Sequence, residues 1–230
     1  YGSPNQLFVN DGKGKFVESA SRFGLALSGA FAMAAFADYD LDGDLDVYLL
    51  GHRFYRAGGR PNRPVTILKD GRNQMLPEFE NYYGVSERRG NMKINNVGAP
   101  DKLLRNDGGR FVEVTQPAGI STNRYHGNSV TWWDFNHDGL PDIYVGNDFE
   151  DPDLLYRNNG NGTFSDVTQH QLPHTSWFTM GADCGDLNND GLIDFLSSDM
   201  AGTTHYKSKT TMGMMGASTW FMQNTVPAQY

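Results

Sequence analysis

One nine-residue pattern, D-x-[DN]-x-D-G-x-x-D, occurs three times and constrains the fold of this chain more than any other feature. Its copies are DYDLDGDLD at 38–46, DFNHDGLPD at 134–142 and DLNNDGLID at 186–194. A second pattern, an apolar run followed by Asn, Gly and Phe, precedes each copy. The second pattern occupies residues 5–16, 101–111 and 153–164. The offset between the two patterns is 31 residues each time, from Leu7, Leu103 and Leu155 to Asp38, Asp134 and Asp186. The two patterns therefore form one repeated unit.

The residues around the two patterns predict four β-strands in each unit. Each acidic loop lies between two strand-like segments, such as FAMAAFA and VYLL around the first loop. The Asn-Gly segment with its following Phe predicts a β-hairpin. Four antiparallel strands per unit are typical of a propeller blade, so we predict an all-β chain with about three blades of a β-propeller. Because about three blades cannot close a ring, we expect further blades from a longer chain.

We predict one partial propeller domain over residues 1–230. Its repeats are 5–50, 101–147 and 153–198, its insertion is 51–100, and its C-terminal excursion is 201–230. Both long segments follow the second strand of a blade. Since the connections of an up-and-down blade alternate between its two ends, we expect these segments at the end opposite the acidic loops.

Composition excludes several classes of protein. The 230 residues carry a formal net charge of -8, which does not suit nucleic-acid binding because phosphates require a basic surface. No apolar run approaches the roughly 20 residues of a membrane span. A single cysteine, Cys184, excludes an internal disulfide. The chain does not begin with Met, so we expect a processed protein or a fragment.

The acidic loops predict calcium sites. Oxygen ligands at alternating positions suit a hard cation such as Ca²⁺, and the Gly at position 6 permits a sharp turn. An EF-hand begins in the same way, but it requires a bidentate Glu at position 12 and flanking helices. Position 12 is instead Leu49, Val145 and Ser197. Zinc and copper do not fit, because no Cys or His occupies a ligand position.

These loops and hairpins resemble the FG-GAP/VCBS repeat of integrin α-chain propellers and of many bacterial secreted proteins. The runs DIYVGND and LYRNNGNGTFSDVT are especially similar to the bacterial type, which is often found with ASPIC/UnbV modules. The resemblance implies a seven-bladed ring in the complete protein and an extracellular, cell-surface or periplasmic location. It also implies metal ligation by the side chains of Asp38, Asp40, Asp42 and Asp46, of Asp134, Asn136, Asp138 and Asp142, and of Asp186, Asn188, Asp190 and Asp194. The backbone carbonyls of Asp44, Leu140 and Leu192 complete the implied sites. We expect the first loop, which is the most acidic, to bind calcium most tightly.

The predicted insertion is the basic part of an acidic chain. Residues 51–100 contain nine Lys and Arg against four Asp and Glu, a net charge of +5 that leaves -13 for the rest. This insertion is interpreted either as a surface for an anionic glycan or an acidic protein, or as a clamp onto the acidic propeller itself. The Met-rich segment at 200–222 is interpreted as packing between blades or as an apolar contact surface.

Two functions remain open from the sequence. The first is a non-catalytic module for adhesion, recognition or assembly, with structural calcium; an accessory subunit of a larger complex is a variant of it. The second is a propeller enzyme, similar to a polysaccharide lyase, acting on anionic polysaccharide at the face opposite the calcium loops. Candidate residues for the second function are Tyr125, His126, His170 and His174. No nucleophile elbow, P-loop, HExxH or CxxC motif occurs, which favours the first function.

Overall fold

The computed structural model describes residues 3–59, 61–88, 91–148 and 151–200, the side chains of residues 86–88 and 91 excepted. These residues form sixteen β-strands, two α-helices of four residues each and a 3-10 helix of three. The chain divides into two compact units, residues 1–127 and 128–230. The predicted C-terminal excursion, 201–230, lies outside the described residues.

The described part of the first unit contains ten strands. They are β1 (Phe8–Asn10), β2 (Phe16–Glu18), β3 (Phe31–Ala37), β4 (Asp46–Gly51), β5 (Thr66–Lys69), β6 (Arg72–Met75), β7 (Tyr83–Arg88), β8 (Asn91–Asn96), β9 (Lys102–Asn106) and β10 (Phe111–Glu113). Helix α1 (Ala20–Phe23) follows β2, and the 3-10 helix (Pro77–Phe79) precedes β7.

The first unit is organised around one four-stranded antiparallel sheet with the order β10-β9-β4-β3. Strand β4 is central, and all six of its residues are buried. Alternate side chains of β4, Val47 and Leu49, pack with Ala20, Leu25 and Leu104 into an apolar core. A strand buried on both faces explains why its sequence is an unbroken apolar run after the initial Asp.

The connection from β4 to β9 contains two separate hairpins, β5-β6 and β7-β8. The two ends of this insertion meet, because the amide of Ala99 donates to the carbonyl of His52 at 2.8 Å. The amide of Gly98 likewise donates to the carbonyl of Arg124 at 2.8 Å. A Cβ atom on Gly98 would lie 1.5 Å from the carbonyl oxygen of Tyr125, so only glycine allows this approach.

Arg124 fastens the insertion to the chain segment that follows β10. Its Nε atom donates to the carbonyl of Gly98 at 3.1 Å. Its Nη1 atom donates to the carbonyl of Glu80, which follows the 3-10 helix. The insertion is therefore held at its stem and at a second point further along it.

The described part of the second unit contains six strands. They are β11 (Gly127–Trp133), which begins at the last residue of the first unit, β12 (Asp142–Asn147), β13 (Leu154–Asn158), β14 (Phe164–Asp166), β15 (Thr179–Gly185) and β16 (Asp194–Asp199). Helix α2 (Thr168–Gln171) follows β14. Strands β11 to β14 form an antiparallel sheet in chain order, and β15 pairs with β16.

Aromatic side chains join the two sheets of the second unit. The ring of Phe195 on β16 lies 4.3 Å from that of Tyr144 on β12 and 5.0 Å from that of Trp133 on β11, between centroids. These distances are typical of tilted aromatic pairs inside protein cores. The two sheets therefore stack face to face, as neighbouring propeller blades do.

The predicted all-β fold is confirmed, and so are its four-stranded antiparallel blades. The order β10-β9-β4-β3 and the order β11-β12-β13-β14 each place the four strands of one blade side by side, two strands from each of two successive repeats. The number of blades in a complete ring and the boundaries of one partial propeller domain stay predictions. Within the described residues no helix has the length and apolar character of a membrane span.

Candidate metal centre

The three acidic loops share one backbone conformation, in which the first aspartate accepts two backbone hydrogen bonds. One of its oxygens accepts the amide of position 5, and the other accepts the amide of the glycine at position 6. The distances are 3.1 and 3.0 Å for Asp38, 3.1 and 2.8 Å for Asp134, and 3.1 and 3.0 Å for Asp186. Each loop therefore closes on its own first carboxylate, between two paired strands.

The same turn forces the residue at position 4 into the left-handed region of backbone conformation. Its φ angle is 60° at Leu41, 58° at His137 and 60° at Asn189. The glycine at position 6 also has a positive φ, for example 96° at Gly43. This conformation turns the chain so that positions 1, 3 and 5 share the inner side of the loop.

The first loop brings three carboxylates together. Oxygen atoms of Asp38, Asp40 and Asp42 all lie within 4.8 Å of one another, so this cluster could hold a metal ion. Burial raises the pKa of Asp40, and the neighbouring carboxylate of Asp42 raises it further. Three carboxylates at such distances repel one another, and a cation between them would remove that repulsion.

Two oxygens of the first loop lack donors in the part of the chain that the structure describes. Asp40 Oδ1 and Asp44 Oδ1 are both buried, and neither accepts a hydrogen bond. A buried carboxylate oxygen without a donor is costly unless a cation satisfies it. The donor set consists of oxygen alone, which suits Ca²⁺ or Mg²⁺ and not zinc or copper. The first loop therefore fits a hard cation.

The second and third loops have an asparagine at position 3, and its amide reaches position 5. Asn136 donates to Asp138 at 2.8 Å, and Asn188 donates to Asp190 at 3.0 Å. These hydrogen bonds replace the repulsion between carboxylates at positions 3 and 5 in the first loop. The backbone amides of position 7, at Leu140 and Leu192, donate to the same aspartates at 2.9 and 2.8 Å.

The aspartate at position 9 lies deeper than the other predicted ligands and, in the first two loops, joins its own strand to the acidic loop and to the neighbouring strand. Asp46 has no exposed surface, and its two oxygens accept the amides of Tyr39 at 3.1 Å and Asn106 at 2.8 Å. Asp142 accepts the amides of Phe135 at 3.2 Å and Asn158 at 2.7 Å. Burial raises the pKa of both carboxyl groups to about 6. In the third loop, Asp194 accepts the amide of Leu187 at 2.9 Å.

Asp44 is also engaged with the rest of its blade. Its Oδ2 atom accepts the amide of Gly108, in the turn between β9 and β10, at 3.3 Å. The side chain of Asn106 donates to the carbonyl of Leu45 at 3.2 Å. In the first unit, the acidic loop and the hairpin turn therefore lie at the same end of the sheet, as predicted.

Sequence reasoning missed a buried pair at the other end of each blade. The phenol of Tyr48 donates to Asp101 at 2.7 Å, and that of Tyr144 donates to Asp153 at 2.6 Å. The sequence does contain a signal for this pair. In both blades a Tyr lies two positions after the first residue of the second strand, β4 or β12. An Asp lies directly before the third strand, β9 or β13. Asp153 has no exposed surface and also accepts the hydroxyl of Thr179 at 2.7 Å.

The candidate residues for an enzyme lie in less suitable positions. His126 is 7% exposed, and its ring lies 6.0 Å from that of His52, between centroids. The hydroxyl of Tyr125 accepts a hydrogen bond from the side chain of Asn123 at 2.7 Å. In the second unit, His170 lies on α2 and His174 in the following segment, and both are exposed.

Comparison with known proteins agrees with this geometry. The family model for the FG-GAP-like repeat matches residues 1–49 and 134–197. The two matched segments contain all three acidic loops. No curated protein is significantly similar to the chain in sequence. Repeated loops of one conformation, set between the strands of antiparallel blades, and the match to the family model lead to one conclusion: this chain is an FG-GAP repeat protein.

Proposed function

We propose that this chain is a calcium-stabilised, extracytoplasmic propeller module that recognises a protein or a glycan and does not catalyse a reaction. One observation carries the calcium part of this proposal: Asp38, Asp40 and Asp42 face one another, and one oxygen of Asp40 is buried without a donor among the described residues. Recognition is supported by the family, because FG-GAP repeats build propeller modules of this kind.

Calcium would act on stability by removing repulsion inside the loops. A cation that binds the folded chain and not the unfolded one stabilises the fold by mass action, by about 2.7 kcal/mol for one site at a hundredfold excess over Kd. The first loop connects β3 to β4, the central strand of its sheet. Metal binding there would therefore support the whole blade.

We further propose three sites, one in each loop, with the side chains and carbonyls that the resemblance implies. The remaining blades of a longer chain would complete a seven-bladed ring, with one partial propeller domain in the residues present here. An extracellular, cell-surface or periplasmic location agrees with this proposal, because FG-GAP repeats are typical of extracellular proteins and millimolar calcium occurs outside cells.

The calcium proposal is tested by thermal unfolding of wild type and Asp40→Asn, each with saturating Ca²⁺ and with EDTA. Asp40 Oδ1 accepts no hydrogen bond from the described residues, and asparagine has nearly the same shape as aspartate, so the substitution should preserve the loop conformation. We expect Ca²⁺ to raise the wild-type Tm by several degrees and to raise that of Asp40→Asn clearly less. Without calcium, Asp40→Asn should melt at or above the wild-type temperature, because the substitution itself removes part of the repulsion between the carboxylates.

Asp70→Asn is the matched control. Asp70 lies in the exposed turn between β5 and β6 with a φ of 52°, a conformation that asparagine adopts readily. This substitution removes the same charge outside the acidic loops and should leave the calcium response unchanged. If EDTA did not change the wild-type melting temperature, the calcium proposal would be wrong.

The enzyme alternative has weaker support in the described residues. A lyase-like site requires a general base beside arginine and tyrosine side chains. The cleft beside Arg53 and Tyr55 is lined by arginine and tyrosine residues but by no histidine among the described residues. His126, the buried candidate, contacts His52 instead. We therefore place recognition first among the two candidate functions.

A further inference from the structure

The insertion between β4 and β9 contains an open cleft of about 330 Å³, a volume within the range of ligand sites. The cleft lies where the chain leaves β4 and meets the β7-β8 hairpin. Its lining includes Arg53, Phe54, Tyr55, Arg56, Tyr82 and Tyr83. No acidic side chain of the described residues lines it.

Two arginines give the cleft a positive charge that the described residues do not neutralise. The guanidinium carbon of Arg53 lies over the ring of Tyr55, 4.3 Å from its centroid. The buried Nε–H of Arg53 has no acceptor among the described residues. Arg56 donates to the carbonyl of Gly59 at 2.9 Å, and it has no carboxylate partner in the same part of the chain.

Arg63 of the insertion and Arg124, which contacts the insertion, are already engaged. Arg63 pairs with Glu78 at 3.1 Å, and Arg124 donates to backbone carbonyls. Among the described residues, the acidic partners of arginines are Glu78 and Asp107, and neither lies in an acidic loop of the propeller. The interpretation of the insertion as a clamp onto the acidic propeller therefore gains no support from Arg53 and Arg56. Their charge is available to a ligand.

The space continues beyond the first cleft. A second cavity of about 280 Å³ shares Tyr83 and Ile94 with it, and Val65, Thr66 and Met92 form part of its wall. Two adjoining cavities with shared side chains fit successive units of a chain better than one isolated small molecule. Tyr82 and Tyr83, with ring centroids 6.4 Å apart, supply aromatic surface along this path.

We propose that this cleft binds an anionic polysaccharide through a carboxylated sugar ring, a uronate. The guanidinium of Arg53 offers a planar pair of donors to a carboxylate, and its contact with the ring of Tyr55 restricts its position. The apolar face of a sugar ring packs against an aromatic side chain, as tyrosines commonly provide at binding surfaces. The second cavity accommodates the next sugar of the chain. This inference rests on the proposed recognition function and names its ligand class.

The test is titration calorimetry at saturating Ca²⁺ with a galacturonate trimer, its neutral galactose counterpart and a poly-glutamate peptide. Wild type is compared with Arg53→Gln and Arg56→Gln. Arg72→Gln is the matched control, because Arg72 lies on β6, is exposed and does not line either cavity. Thermal unfolding of each variant verifies that it is folded.

We expect the galacturonate trimer to bind, and Arg53→Gln and Arg56→Gln each to weaken binding by about tenfold or more. Arg72→Gln should change the affinity less than about twofold. The neutral trimer should bind much more weakly, because it leaves the arginine charges unpaired.

Three results would overturn the proposal. The first is no binding of the galacturonate trimer at concentrations on the order of 10 mM. The second is an equal loss in Arg72→Gln and Arg53→Gln, which would indicate general charge attraction. The third is tighter binding of poly-glutamate through the same arginines, which would identify an acidic protein as the partner. If the cleft proposal were wrong, the effect of Ca²⁺ on the melting temperature would not change. Failure of the cleft proposal can therefore be distinguished from failure of the calcium proposal.

Discussion

The phenol oxygen of Tyr48 lies 2.7 Å from a carboxylate oxygen of Asp101, 53 residues further along the chain. The other oxygen of Asp101 accepts the amide of Gly51 at 2.7 Å. These two bonds join the end of β4 to the start of β9 and close the base of the insertion. In the second unit Tyr144 makes the same bond to Asp153, which is only nine residues away. The same Tyr–Asp hydrogen bond therefore closes a short connection in the second unit and a long insertion in the first.

Tyr48→Phe should destabilise the first unit. The substitution removes the donor and leaves a largely desolvated carboxylate with one hydrogen bond fewer, which costs about 1–2 kcal/mol. Urea unfolding with Ca²⁺ present measures the change. Tyr83→Phe is the control, because no hydrogen bond of the Tyr83 hydroxyl to described residues is seen. Equal stability of Tyr48→Phe and wild type would contradict the closing role of this pair.

Asp101 should make stability depend on pH in an unusual direction for a carboxylate. Burial raises the pKa of Asp101 to about 6, although the hydrogen bonds from Tyr48 and Gly51 oppose this shift. Because the folded pKa lies above the unfolded one, the proton favours the folded state. This stabilisation is fully present below the unfolded pKa of about 4 and is lost as the pH rises through about 6.

The pH effect is measured as the difference in unfolding free energy between wild type and Asp101→Asn from pH 3 to 8. The asparagine does not titrate, so we expect wild type to lose about 1–2 kcal/mol relative to it between about pH 4 and pH 6. Other carboxylates contribute equally to both proteins and cancel. A constant difference across this interval would show that Asp101 titrates normally.

Leu41→Asn should stabilise the chain. Leu41 has a φ of 60° and is 59% exposed, so burial of its side chain offsets little of the cost of the left-handed conformation. Asparagine adopts this conformation at less cost, and the third loop already has Asn189 there with the same φ. We expect a gain of about 1 kcal/mol in urea unfolding. Asn189→Leu should show the opposite sign, and a gain in both variants would refute the backbone explanation.

The first loop should bind calcium more tightly than the other two. It places three carboxylates within 4.8 Å, whereas Asn136 and Asn188 lower the charge of their loops. Calorimetric titration of wild type, Asp42→Asn, Asp138→Asn and Asp190→Asn distinguishes the sites, since each variant weakens one loop at the same position. Only Asp42→Asn should abolish the tightest binding step. Retention of that step in Asp42→Asn would reverse the ranking.

Local chemistry determined much of this protein from sequence alone. The predicted strand segment FAMAAFA coincides with β3, because the acidic loop that follows it requires a specific backbone conformation. The turn with glycine at position 6 depends only on residues within the loop. The spacing of aspartate and glycine along the sequence therefore identified the loops and predicted that positions 1, 3 and 5 share the inner side. The recurrence of two patterns at one offset was enough to predict four-stranded blades.

Only the tertiary structure decided which residues that are distant in sequence lie next to each other. The pairing of Tyr48 with Asp101 spans an insertion that no local pattern bridges, and the burial of Asp46 follows from contacts with Asn106 on another strand. The same holds for Arg53, whose charge became significant because it packs on Tyr55 in a cleft that no described acidic side chain lines. Hydrogen bonding and desolvation at these positions depend on strands that meet only after folding, and a sequence pattern does not contain those distances.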